Sequence, residues 1–135
     1  MILPPDVAFH PDYHLFTWKP RGVLDEQKVT QIVSFIEEQE RVMDQSFNRF
    51  TDSTALDSVD LNFDFVFHVA LCRRLIFAAR PQVKSAFLVS NRKSSHYFKL
   101  AALLTDHSPL QVKIFDERDG AAFWLQVPRK VLELP

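Results

Sequence analysis

A chain of 135 residues with 47% apolar and 24% charged side chains has the balance of an ordinary folded domain, which excludes a disordered chain too poor in apolar groups to offset its own entropy. Its formal net charge of −1 argues against general binding to nucleic acid or to an anionic membrane, since both need a surplus of Lys and Arg. The single cysteine, Cys72, excludes an internal disulfide, and only 2 Gly weigh against phosphate-cradling loops, whereas 13 Phe supply ample core volume.

The opening Met-Ile-Leu-Pro-Pro-Asp has no basic region followed by a long apolar run, and no apolar stretch approaches the ~18 residues that cross a bilayer. A cytoplasmic protein without a membrane span is expected. Pro4, Pro5 and Pro11 make the first dozen residues extended or turn-like, with a short edge strand at 7–10. Residues 14–19 alternate as a strand, with Phe16 and Trp18 on one face and Leu15 and Thr17 on the other. Pro20, Arg21 and Gly22 interrupt it and place it near a sheet margin. Asp25 is the predicted N-cap of a helix over 26–43. Its inward stripe is Val29, Ile32, Val33 and Ile36, and Glu37, Glu38, Glu40 and Arg41 fall mostly on the wet side. Residues 47–52 read as a second strand, and 53–62, rich in Ser, Asp and Thr, as a loop ending in a cap. The stretch 63–79 fits strand alternation and helical spacing alike; its length and its Ala and Leu content favour a largely buried helix that stops before Pro81. Residues 84–90 are an apolar run typical of a strand covered on both faces. A helix from 96 to about 105, with Tyr97, Leu100, Ala101 and Leu104 inward, comes next. A strand over 110–115 and a last helix over 117–126, capped by Asp116, complete the chain.

This alternation predicts one α/β domain over 1–135, with a four- to five-stranded, mostly parallel mixed sheet, right-handed crossovers and about four helices. Three pieces of it look familiar. A strand ends in Gly-Val-Leu-Asp before a long acidic helix. A strand ends in Asp52 before a Ser/Thr loop. The chain closes on a strand, a Phe-Asp-Glu turn and Ala-Ala-Phe-Trp-Leu. Together these are similar to STAS-like domains, the bacterial relatives of the sporulation anti-anti-sigma factor, which also share features with the lipid-binding CRAL-TRIO fold. The resemblance spans most of residues 12–126. It implies a non-catalytic role, in which the module binds a partner protein or a small ligand such as a nucleotide or lipid. Some members carry a phosphorylatable serine just after an Asp at the start of the second helix. Here Asp52 matches the strand Asp and Asp60 the Asp before that helix, but Leu61 and Asn62 follow, so the switch serine is missing from its family position.

In open α/β sheets, ligands bind beyond the carboxyl ends of the parallel strands. That lip gathers Thr51, Asp52, Ser53 and Thr54, then Ser90 and Asn91, then Asp116 and Glu117. The candidate partner- or ligand-binding residues are Asp52, Ser53, Thr54, Ser58, Asp60, Ser90 and Asn91. The same residue types also serve as turn formers and caps. Asp52 is a candidate base if desolvated; Arg49, an odd number of residues away, faces oppositely and is not its pair. Arg73 and Arg74 diverge by about 100° on a helix and read as surface or inter-subunit groups. Cys72 lies four residues after His68, within touching distance on a helix, and reads as a buried structural cysteine. Arg92, Lys93 and Lys99 with His96 and Tyr97 form a small basic patch at a solvated helix start.

The histidines show no metal spacing, and no nucleophile elbow, Walker loop or dinucleotide fingerprint is present, so neither a metal nor a cofactor nor a catalytic residue is expected. A helix apolar nearly all round, as Phe63–Phe77 is, must be covered, which predicts a homodimer. The Phe excess leaves room for an apolar cavity. The expectation is a STAS-like regulatory or protein-interaction module with its partner surface near 52–62. The alternative is a carrier or sensor of a small apolar or anionic ligand at the strand-end crevice. An enzyme using Asp52 or Cys72 is the third reading.

Overall fold

In the computed structural model, which describes residues 1–90, 96, 97, 99, 102 and 109–135, the elements follow in the order Val7–His10 (β1), Leu15–Trp18 (β2), Gly22–Asp25 (β3), Glu26–Met43 (α1), Asn48–Asp52 (β4), Leu56–Asp60 (β5), Phe63–Phe77 (α2), Val83–Leu88 (β6), Leu110–Phe115 (β7) and Arg118–Leu125 (α3). Five strands form one sheet in the order β1-β2-β4-β6-β7; β1 is antiparallel to β2, and the other pairings are parallel. The mixed α/β architecture read from the alternation is therefore the one adopted. Most of the predicted helix from 96 to about 105, together with Asn91, Arg92 and Lys93, lies outside the described residues.

Three expectations are set against the structure. First, the stretch 53–62 is not a loop. It contains β5, which pairs in parallel with β3 to make a separate two-stranded sheet, so the polar run is an extended ribbon with Ser58 and Asp60 exposed. Gly22, at φ +71° in the left-handed region that favours glycine, opens β3 at the point where the ribbon's register shifts. Second, β2 lies near the sheet margin as expected, one strand in from the edge strand β1, and Pro20 falls beyond its last residue and costs the ladder no donor. Third, α3 is preceded by Glu117 rather than Asp116, and no side chain caps it.

Helix α1 spans 26–43 as its periodicity predicts, and Asp25 caps it by accepting from the Lys28 amide at 2.9 Å. Asn62 does the same for α2, accepting from the Phe65 amide at 2.8 Å. Alternation along the strands gives the large sheet two different faces. One carries Leu15, Phe50, Ala86 and Leu88 and packs on Ala121, Ala122 and Leu125 of α3 and on Leu132. The other carries Phe16, Arg49, Thr51, Ser85 and Val112 and lies under α1 and α2. Beneath α1, the rings of Phe9, Phe16, Phe35 and Phe47 pack edge-to-face and offset, with centroids 4.7 to 5.7 Å apart.

Candidate functional site

At the end of β4 the polar groups of the strand-end lip are engaged with one another. Asp52, the last residue of β4, is wholly buried. Its Oδ1 accepts from the Thr54 amide at 2.9 Å and the Thr54 hydroxyl at 2.5 Å, and its Oδ2 accepts from Arg118 at 2.7 Å. Burial pushes the Asp52 carboxyl up, but the Thr54 and Arg118 hydrogen bonds together outweigh it and hold the group below its ordinary value. The Ser53 hydroxyl donates to the Leu88 carbonyl at 2.6 Å, extending the β4–β6 seam past the strand ends. The structure thus brings Asp52, Ser53 and Thr54 together in internal bonds. Ser58 and Asp60 stand on the β3–β5 ribbon, Ser90 is exposed just after β6, and Asn91 lies outside the described residues. Arg118 was missed by sequence reasoning because it is 66 residues from the carboxylate it serves.

Charges also stand where the helix-covered face should be dry. Glu40 is buried, 4% exposed, not on the wet side of α1. It accepts from Arg49 at 2.8 Å and from the Phe47 amide at 2.9 Å, and Arg49 donates onward to the Phe47 carbonyl at 3.0 Å. Arg80 lies 3.8 Å from the same carboxylate. The guanidiniums of Arg49 and Arg80 sit over the Phe77 ring, 5.1 and 5.4 Å from its centroid. As the alternation requires, Arg49 does not pair with Asp52.

Between α1, α2 and the sheet is a pocket of about 110 Å³. Ile32, Val33 and Ile36 wall it on one side and Phe65, Val66 and Val69 on the other, with Tyr97 also reaching it. Its floor is Phe16, Trp18 and Phe87, with the hydroxyl-bearing Thr51 and Ser85 among them. Arg73 lines the same pocket, in place of the surface or inter-subunit position expected for it. Its Nε is buried without a hydrogen-bond partner. Burial, and then the neighbouring charge of Arg49, pull the Arg73 guanidinium down to about 9, with Glu37 and Glu40 opposing. The Arg49 guanidinium is lowered chiefly by burial, against the attraction of Glu40.

Cys72 is half-buried rather than buried, with Sγ 3.7 Å from His68 Nε2. Among the described residues, no group of three or more His, Cys, Asp or Glu side chains is placed to hold a metal ion. No helix there is long and apolar enough to cross a membrane.

No protein-family model matches this chain, and no curated protein matches it. Among solved structures it is similar to an uncharacterised protein of the DUF3478 family with a SpoIIAA-like fold from Shewanella loihica PV-4. The two share 18% identity and a TM-score of 0.51, over 82% of this chain and 83% of that one. An antiparallel edge, parallel crossovers and helices on both faces therefore amount, in this chain, to the SpoIIAA-like, STAS-like fold that its motifs resemble.

Proposed function

We propose that this protein is a non-catalytic STAS-like regulatory module that acts by binding another protein and pairs with a second copy of itself through α2. The outer face of α2 carries the reading. Phe63, Phe67, Leu71 and Leu75, four residues apart, form one ridge and are 59, 42, 44 and 69% exposed. Apolar ridges of this size mark binding surfaces. This one is self-complementary: in an antiparallel pairing about a two-fold at the level of residue 69, Phe63 meets Leu75 and Phe67 meets Leu71. The exposed Thr54, Ser58 and Asp60, which precede α2, support a polar partner surface beside it. The ion pair at Asp52 supports the absence of catalysis, because a base already matched by Arg118 and Thr54 is a poor proton acceptor.

Light scattering coupled to size exclusion is expected to give a dimer mass for the wild type and a monomer mass for Phe67→Glu with thermal stability retained. A monomeric wild type at tens of micromolar overturns the pairing. Co-purification from the native cell should recover a second protein, and recovery of this chain alone counts against the regulatory role. Turnover of ester or phosphoester substrates that Asp52→Ala or Cys72→Ala abolishes would overturn the non-catalytic assignment.

A second reading, a carrier or sensor of a small ligand, is favoured by the pocket under α1 and α2. It places the ligand between helices and sheet rather than in the strand-end crevice, where Asp52 and Ser53 are already bonded.

A further inference from the structure

Resting on that second reading, we propose that the pocket binds a small monocarboxylate, its head on Arg73 and its short apolar body between α1 and α2. Three observations set the ligand class. Arg73 brings a guanidinium to the wall formed by Phe65, Val66 and Val69 and leaves its buried Nε unpartnered, as does Arg49 on the sheet side of the same pocket. An unsatisfied buried donor of this kind is costly unless something supplies the acceptor.

The charge balance sets the head. The electrostatic neighbourhood holds Arg49, Arg73 and Arg80 against Glu37 and Glu40. Arg49 is already matched by Glu40 at 2.8 Å. Among the described residues the surplus is one positive charge, which a monoanion neutralises and a dianionic phosphate would overshoot. The planar guanidinium fork suits a carboxylate in particular.

The volume sets the body. An apolar cavity of about 150 Å³ holds benzene, so one of about 110 Å³ encloses a body of roughly four to five carbons.

The test is calorimetric titration of the purified full chain with pentanoate, 1-pentanol and acetate. Pentanoate is expected to bind at least about tenfold more tightly than either control, because only it supplies both charge and apolar body. Arg73→Met is expected to weaken pentanoate by about 10- to 100-fold, the span of a charged hydrogen bond, and to leave pentanol unchanged. The same variant without ligand should melt at a higher temperature than wild type, since it replaces a half-buried guanidinium whose inner Nε has no acceptor with an apolar side chain; a merely structural arginine would lower the melting temperature. Equal binding of pentanol and pentanoate leaves the ligand-carrier reading standing and overturns the carboxylate head. Binding of none of the three overturns both.

Discussion

The two faces of the five-stranded sheet are built to different ends. Against α3 the buried core is apolar, Lys84 bonds the Trp124 carbonyl at its margin, and the buried carboxylate, Asp52, is bonded through both oxygens. Between that sheet and α1 and α2 lie an ion pair, two hydroxyls, two arginine Nε groups without acceptors and open volume. Close packing and full polar satisfaction maximise stability, and each departure from them costs about 1–3 kcal/mol. Departures gathered on one face are what the proposed ligand reading rests on, with the other face as its support.

The comparison breaks most sharply at Glu40. Glu40→Gln strands the Arg49 charge in the interior and is expected to cost about 3–5 kcal/mol, whereas Glu40→Leu with Arg49→Met should recover most of that loss; chemical denaturation of both variants measures it, and a mild effect of the single change would mean that water reaches the pair. On the α3 face, Asp52→Asn should cost about 1–3 kcal/mol at neutral pH. The fold holds Asp52 below its ordinary value, so its contribution is complete above the usual carboxylate range and is lost as pH falls through the lower folded value. Stability of Asp52→Asn should accordingly fall less than that of wild type on acidification, and parallel acid curves would refute the linkage. The smallest effect belongs to Arg129, whose bonds to Asp119 and Glu133 lie at the surface. Arg129→Ala should change stability by less than about 0.5 kcal/mol, and a larger change would mean that the α3 side depends on its rim as well as on its core.

What the chain disclosed before folding follows the same division. Helix α1, β7 and the helical nature of 63–77 were legible because period and length agreed with burial. Strand β5 was not, because Asp57, Ser58 and Asp60 are loop-forming types, and it is pairing with β3, remote in sequence, that extends them. The interior charges were legible by spacing and hidden by type. Glu40 continues the stripe of Ile32 and Ile36 at the next fourfold step, and Arg73 lies three residues after Ala70 and four before Phe77, both buried. Reading position before polarity would have turned both inward. The lip residues Asp52, Ser53 and Thr54 were located correctly as strand-end groups, but their engagement depends on Arg118 and Leu88, which local pattern does not reveal.

The reach of Arg118 back to Asp52 also sets the timetable of assembly. Helix α3 packs on residues of both β4 and β6, whose pairing is parallel and long in range, the kind of contact that forms slowly. On the ribosome, Leu15, Phe50, Ala86 and Leu88 have no cover until residues 118–125 have emerged. A nascent chain halted just short of that helix bares a greasy sheet, the form in which it is most open to aggregation and most dependent on a chaperone.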